Sequence, residues 1–272
     1  MPRVREKTQG RPFVKGRRTN DEGEIMEDIV QAFRARRDLL AFLGLSLYKD
    51  PSEELLGSLE GVVQGLRALE RLIQSERYQE GLALFGDFLQ RVAKEKDNDN
   101  KELLKEAATE YTKLFIVPPG VSKKQSPYPY ESLFRGKHKM LMDEPRDEVY
   151  KAYWMAKFEL KQESNEPEDH LGLELLFLAR LSERIADTLK EKGQDGIEEA
   201  LKDISTSIEF LKAHPLSFVD KLSELVLGQT GHSFYRGLAL TLPPYLRFDL
   251  AYLEEAKEHF LESGKEGEQQ EQ

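Results

Sequence analysis

The chain has 272 residues, of which 39% are hydrophobic and 33% charged, enough to build one sizeable core or two smaller ones. It has no cysteine, which excludes disulfides, thiolate metal sites and cysteine nucleophiles, and its formal net charge of −10 opposes general nucleic-acid binding. No window approaches 18 consecutive apolar residues and the first residues lack a secretory apolar region, so the sequence predicts a soluble, cytoplasmic protein without membrane insertion.

The first 18 residues are strongly basic, with seven Lys or Arg side chains and a single acid, Glu6. This composition predicts a basic, disordered arm over 1–22, and an arm that binds nucleic acid or a partner is the alternative. Arg17 and Arg18 are similar to a twin-arginine export signal, but the polar run TNDEGEIMED follows where an apolar segment should be. We therefore do not expect the chain itself to be exported by that route.

Apolar residues at helical spacing dominate the rest of the chain, and no alternating strand pattern occurs. The pattern predicts an all-α fold of about ten helices. Its stripes lie at about 24–48, from 53 onward after a cap at Asp50 or Ser52, and at about 82–92, 102–115, 144–160, 167–190, 197–211, 218–226, 235–242 and 244–262.

The composition changes twice within the helical region, at the proline-rich segment PPGVSKKQSPYPYES and at KQESNEPED over 161–169. Either segment could be a hinge. The boundary is placed at the second, which divides the chain into two packed helical subdomains, 23–163 and 164–262, followed by a disordered polar tail over 263–272.

Two features are ambiguous in the sequence. Gly57, Gly61 and Gly65 recur every four residues, which either lets another backbone approach closely or indicates a poorly formed helix. Trp154 is the only tryptophan and is expected in the core.

The run NEPEDHLGLELLF over 165–177 concentrates ionisable residues in front of an apolar stripe. In a helix, Glu166, His170 and Glu174 would share one face, but the other histidines supply no further ligand set, so no metal site is predicted. The chain has no G-x-S-x-G nucleophile motif and no glycine-rich phosphate loop. We therefore predict no catalytic residue, no cofactor and no enzyme.

The same run also has the residue pattern of a helix start. Asn165 or Glu166 would cap the helix, Pro167 would occupy its first turn, and the acids Glu168 and Asp169 would face the positive end of the helix dipole. His170 is not explained in this way, and a partly exposed position is expected for it.

Two short motifs resemble the TorD/DmsD/NarJ family of chaperones for molybdoenzyme maturation. The aromatic-x-x-L-F signature stands at Tyr111, Leu114 and Phe115, and the E-P-x-D-H signature at Glu166, Pro167, Asp169 and His170. SPYPYESLF between them and FLKAHPLSFVDKL after them are also similar to family segments. The resemblance covers about 111–240.

This resemblance implies a cytoplasmic chaperone that binds the twin-arginine signal peptide of the apo form of a molybdenum-containing oxidoreductase and delays export until the cofactor is inserted. A receptor for such a peptide needs an apolar groove with carboxylates near one end. The residues assigned to peptide binding are Tyr111, Leu114, Phe115, Pro129, Tyr130, Glu131, Glu166, Pro167, Asp169 and His170. Ordinary core packing is the alternative for Tyr111, Leu114 and Phe115.

Two other functions stay open at this stage. One is an all-helical assembly factor that binds a folded partner through its basic arm, and the other is a metal carboxylate enzyme. Some family members bind guanine nucleotide, but without a phosphate loop this is not carried over. The sequence does not decide which enzyme is served or whether a homodimer forms by exchange of the two halves.

Overall fold

A computed structural model describes residues 22–95, 101–116, 126–159 and 166–270. Residues 1–21 of the basic arm, 118–125 of the proline-rich segment and 161–165 of the predicted hinge lie outside the described residues. The described chain forms α1 (Glu22–Tyr48), α2 (Glu53–Ala68), α3 (Glu76–Glu95), α4 (Lys101–Tyr111), α5 (Ser132–Arg135), α6 (Glu144–Met155), α7 (Leu171–Lys192), α8 (Ile197–Ala213), α9 (Pro215–Leu227) and α10 (Ser233–Gln270), with a π-turn over Thr112–Ile116 and a 3₁₀ turn over Gly193–Gly196.

The prediction of an all-α fold with about ten helices is confirmed. Within the described ranges, extended pairing is limited to one isolated antiparallel bridge between Tyr130 and His170. No helix in this part of the chain combines the length and apolarity that a membrane crossing requires.

Glycine pairs set the closest helix crossings. A Cβ atom on Gly44 of α1 would lie 2.8 Å from the carbonyl oxygen of Gly172 in α7, and one on Gly172 would lie 2.7 Å from that of Gly44. Gly81 of α3 and Gly237 of α10 approach each other in the same manner, at 3.0 and 3.2 Å. The missing side chains allow the two backbones of each pair to touch, so α1 packs directly on α7 and α3 on α10.

These crossings join helices from both halves of the sequence around a shared core. Arg36 of α1 is buried and forms two hydrogen bonds to Asp249 of α10, at 2.6 and 2.9 Å, and a third to the carbonyl of Leu178 in α7 at 3.3 Å. Removing one partner would leave a buried charge unpaired. The division into subdomains at 163/164 stays a prediction.

Three details differ from the sequence pattern. Residues 233–270 form one helix that contains Pro243 and Pro244, where two helices were predicted, and its backbone runs past 262 into the predicted tail. Burial of Leu242, Tyr245 and Leu246 around the prolines offsets the cost of about 3 kcal/mol that a helical proline carries. Trp154 is 73% exposed, so the prediction that it lies in the core is wrong.

The glycines of α2 do not lie in a poorly formed helix, and the close approach of another backbone is not seen within the described chain. The helix is complete, and Ser52 caps it by accepting a hydrogen bond from the amide of Leu55 at 3.1 Å. A Cβ atom on Gly57 or Gly61 would meet nothing within 4 Å, so no backbone of the described chain approaches there.

Candidate functional site

The SPYPYESLF segment pairs with the E-P-x-D-H segment at the start of α7. The amide of Glu131 donates to the carbonyl of Asp169 at 2.9 Å, and the amide of Leu171 donates to the carbonyl of Pro129 at 2.7 Å. These bonds flank the bridge between Tyr130 and His170. The structure thus brings together residues that the sequence separates by about forty positions.

Asp169 lies at the centre of this pairing and is fully buried. Its Oδ2 accepts a hydrogen bond from the amide of Ser132 at 2.8 Å, while Oδ1 has no donor among the described residues. Burial raises the pKa of the Asp169 carboxyl above its ordinary 3.8, although the hydrogen bond from Ser132 opposes this shift. The carboxylate therefore fixes the turn that leads into α5.

His170 caps α7, which begins at Leu171. Its Nδ1 accepts a hydrogen bond from the amide of Gly172 at 3.0 Å, which places the ring proton on Nε2. The ring is 3% exposed, with the rings of Tyr48 and Tyr130 packed edge-on at 5.6 and 5.1 Å, and burial lowers its pKa to about 3.

These observations correct the predicted helix start. Pro167 precedes α7 instead of lying in its first turn, Glu166 is not the cap, and the expectation that His170 is partly exposed is wrong. Asn165, the other predicted cap, lies outside the described residues. The helix begins later because the backbone of 169–171 is already hydrogen-bonded to 129–131.

A buried acidic cluster lies beneath the paired segments. Glu131 is fully buried and is surrounded by Arg135, which forms a salt bridge to it, by His214, whose Nδ1 is 2.9 Å from Oε2, and by the Ser217 hydroxyl, which donates to Oε1 at 3.4 Å. Glu174 of α7 is equally buried, and neither of its carboxylate oxygens accepts a hydrogen bond from a donor in the described residues.

The environment of Glu174 favours its protonated form. Burial is the main cause and the charges of Glu131 and Asp169 add to it, so that the pKa of Glu174 lies well above its ordinary 4.5. In the sequence, Glu174 was considered only as a possible metal ligand and rejected, and neither His214 nor Arg135 was singled out, because nothing local indicates that α7, α9 and the 131–135 segment meet.

Three of the predicted residues remain accessible. Tyr130, Glu166 and Pro167 are partly exposed, and the Tyr130 hydroxyl donates a short hydrogen bond to Oε2 of Glu166. Partial burial and this carboxylate raise the pKa of Tyr130 above its usual range. Pro129 is buried behind Tyr130. The pair of Tyr130 and Glu166 therefore presents an oriented carboxylate at the surface.

The aromatic-x-x-L-F residues lie in the core. Tyr111, Leu114 and Phe115 are 4%, 1% and 5% exposed, and the Tyr111 hydroxyl donates to the carbonyl of Leu47 at 3.2 Å. The Phe115 ring packs against those of Tyr111 and Tyr235. The cavity beside Phe115 measures only about 10 Å³, too little for a peptide side chain. Their role as groove-lining residues stays a prediction.

An open apolar groove of about 970 Å³ runs instead between α1 and α2. Its lining includes Leu39, Phe42 and Leu45 of α1 with Leu55 and Val62 of α2, and the charged residues at the α1–α2 connection are Lys49, Asp50 and Glu54. The ring of Tyr48, the last residue of α1, packs edge-on against that of His170 with ring centres 5.6 Å apart, so the connection lies close to the E-P-x-D-H segment.

One cluster has the composition of a metal site. A nitrogen of His138 and carboxylate oxygens of Asp143 and Glu144 lie within 4.8 Å of one another. Asp143 is also the cap of α6 and accepts a hydrogen bond from the amide of His138 at 2.7 Å, which is the main cause of its lowered pKa. The turn before α6 thus accounts for this arrangement.

A family profile and several named proteins are similar in sequence to this chain. A profile of the family described as nitrate reductase delta subunit matches residues 74–224, more than half of the chain. "Chaperone protein TorD" of Vibrio parahaemolyticus is 28% identical over 228 residues, which cover 82% of this chain and 97% of the relative. The protein of the same name from Vibrio vulnificus strain YJ016 is 24% identical, covering 84% and 99%. That of Aliivibrio fischeri is 28% identical over 134 residues, and there the alignment covers only 48% of this chain and 59% of the relative.

Proposed function

Because the chain belongs to the nitrate reductase delta subunit family of TorD- and NarJ-type chaperones, we propose that it is a maturation chaperone for a molybdenum-containing oxidoreductase. In this proposal it binds the twin-arginine signal peptide of the apo enzyme and delays export until the cofactor has been inserted. The activity is binding, without chemical catalysis.

The observation that carries the proposal is the backbone pairing of 129–131 with 169–171, which leaves Tyr130 and Glu166 accessible above a buried frame. Asp169, His170 and Glu131 belong to that frame and position the segment. Tyr130, Glu166 and Pro167 are the members that can touch a peptide without rearrangement.

The charge of this surface suits the proposed ligand. An arginine guanidinium forms its strongest hydrogen bonds with a carboxylate in an orientation fixed in advance. The Tyr130 hydroxyl fixes the Glu166 carboxylate through Oε2, and its second oxygen can accept from a guanidinium. Asp50, two residues after Tyr48, whose ring packs on that of His170, adds negative charge beside this surface. Such contacts give an affinity that falls as salt is added.

The test is a titration of the whole chain with a fluorescent peptide that carries two arginines before an apolar run. We expect Glu166→Gln to weaken binding about tenfold, since a charge-assisted hydrogen bond contributes about 1.5–3 kcal/mol. Glu209→Gln removes the same charge from an exposed position on α8 and should leave the affinity unchanged.

A scrambled peptide of the same composition separates recognition from charge attraction. We expect it to bind at least about tenfold more weakly. Equal affinity for the two peptides, or no binding of either at low salt, would contradict the proposal.

Maturation is tested by deleting the chaperone in its host and measuring the cofactor content of the exported client.

A further inference from the structure

The groove between α1 and α2 has features that packing within the described chain does not explain. It is open, largely apolar and about 970 Å³ in volume. Gly61 and Gly65 lie one turn apart on its α2 wall. Glycine inside a helix costs up to about 1 kcal/mol relative to alanine, yet no atom of the described chain uses the space that Gly61 leaves free.

The position of these glycines determines what the groove can accept. A Cβ atom on Gly61 would meet nothing within 4 Å, and one on Gly65 would meet only the tip of Leu39, at 3.3 Å. A bound helix can therefore approach the α2 backbone more closely than it could if larger residues stood at these positions. Small residues four positions apart allow the same close approach between other packed helices. Apolar side chains of that helix would meet Phe42, Leu45 and Val62.

The length of the groove matches that of an apolar helix with a particular number of residues. Its lining extends from Asp50 and Glu54, at the α1–α2 connection, to Asp38 and Leu69 at the far end, so it follows nearly all of the 16 residues of α2. At 1.5 Å per residue, an apolar helix of about 15 residues has the same length.

Acids with no hydrogen-bond partner among the described residues indicate the direction in which such a helix would lie, because Asp38 at the far end already accepts a hydrogen bond from Arg37. Asp50 and Glu54 are at the connection, and the E-P-x-D-H segment that carries Glu166 lies beside it, since the Tyr48 ring packs against that of His170. The one cation there, among the described lining residues, is Lys49, whose ammonium lies 5.6 Å from the Tyr48 ring centre. Basic residues in front of the apolar run would thus be placed at the connection.

We propose that the α1–α2 groove receives the apolar segment of the client signal peptide as a helix, with the arginine pair at the end marked by Asp50, Glu54 and Glu166. This inference rests on the proposed function and names the surface that performs it. It assigns the apolar contact to α1 and α2, and leaves Tyr111, Leu114 and Phe115 as support for the C-terminal turn of α1.

Filling the groove tests the inference, and α2 offers a matched control. Gly61→Leu places a side chain inside the groove, whereas Gly57→Leu makes the same change on the same helix in a separate pocket next to Gly86. Both positions have room for the added atoms and leucine favours helices over glycine, so both variants should melt at or above the temperature of the wild type. We expect Gly61→Leu to weaken peptide binding at least about tenfold and Gly57→Leu to leave it unchanged.

The outcomes separate the two proposals. Binding by Gly61→Leu that equals that of the wild type overturns the groove assignment and leaves the chaperone function standing. Failure of the wild type to bind the peptide overturns the function itself. A photoreactive residue in the middle of the apolar segment should crosslink within 35–69, and crosslinks confined to 126–136 and 166–172 would overturn the assignment.

Discussion

The Oδ2 atom of Asp169 accepts a hydrogen bond from the backbone amide of Ser132 at 2.8 Å, and both residues are fully buried. This contact ties the segment before α5 to the segment before α7. The aspartate of the E-P-x-D-H motif therefore holds the site together and is not accessible to a ligand.

Replacement of Asp169 tests this structural role. Asp169→Ala leaves the buried Ser132 amide without its acceptor, and we expect the free energy of unfolding to fall by about 1–3 kcal/mol. Asp169→Asn keeps an acceptor oxygen and should lose less. Urea unfolding of the three proteins measures the difference, and an alanine variant as stable as the wild type would contradict the role. Loss of peptide binding in the alanine variant would then reflect loss of the frame.

The second prediction concerns the cap of α7. The pKa of His170 is about 3 in the folded protein, below its ordinary 6.5, because the ring is buried. The unfolded chain binds a proton that the folded chain does not, so stability present above pH 6.5 is lost as the pH falls toward 3. An asparagine side chain at this position would cap the helix without titrating. His170→Asn should therefore lose less stability than the wild type between pH 7 and pH 4 in chemical unfolding, and parallel losses would exclude this mechanism.

Glu174 gives the opposite dependence on pH. Its pKa is raised by burial and by the charges of Glu131 and Asp169, whereas Arg135 opposes the shift. The folded carboxyl keeps its proton to higher pH than the unfolded one, so its contribution is complete below its ordinary 4.5 and is lost as the pH rises through the folded-state pKa. Glu174→Gln removes this loss, and we expect its melting temperature to exceed that of the wild type by an amount that grows from pH 4 to pH 8. Thermal unfolding across this range measures the difference, with the exposed Glu209→Gln as control, and a difference independent of pH would refute the assignment.

The contact of α1 with α7 predicts a large effect of a single methyl group. In Gly44→Ala the new Cβ atom would lie 2.8 Å from the carbonyl oxygen of Gly172, so the helices must separate, and we expect a loss of about 1–3 kcal/mol in the free energy of unfolding. Gly23→Ala makes the same change near the start of α1 with nothing within 4 Å, and should stabilise by up to about 1 kcal/mol. Denaturant titration compares the two, and similar effects would show that the crossing is not tight.

The single tryptophan gives a direct optical test of the fold. Trp154 is 73% exposed on α6, next to the equally exposed Met155. We expect the folded protein to show the emission of a water-exposed indole, quenched readily by acrylamide, with little change on unfolding. Because α6 contributes no lining residue to the α1–α2 groove, a peptide bound there should leave the spectrum unchanged. Blue-shifted, protected emission would contradict this position.

Periodicity was a sound guide to the helices, since burial of one stripe is a local property of the sequence. Periodicity predicted the wrong helix bounds where contacts between residues far apart in the sequence determine them. The acids after Pro167 favour a helix start, but their backbone pairs with 129–131, so α7 begins at Leu171. The prolines at 243 and 244 favour a break, yet burial on both sides keeps α10 continuous.

The candidate site, like the fold, was predicted from the sequence only in part. The motifs identified the family and the segments that meet, and Tyr130 and Glu166 are accessible as the proposed peptide contacts require. For Tyr111, Leu114 and Phe115 the sequence left groove lining and core packing as alternatives, because a helical stripe has the same spacing in both, and the structure shows all three buried.

By itself, the sequence determined the fold class, the approximate helices and the family resemblance, because helix periodicity and short motifs are carried by residues close together in the chain. The tertiary structure decided that Asp169 and His170 are buried, that Glu131, Glu174 and His214 meet, and that the open apolar surface lies between α1 and α2. Each of these depends on which helix faces cover one another, and the close approach of Gly44 to Gly172 and of Gly81 to Gly237 sets that arrangement.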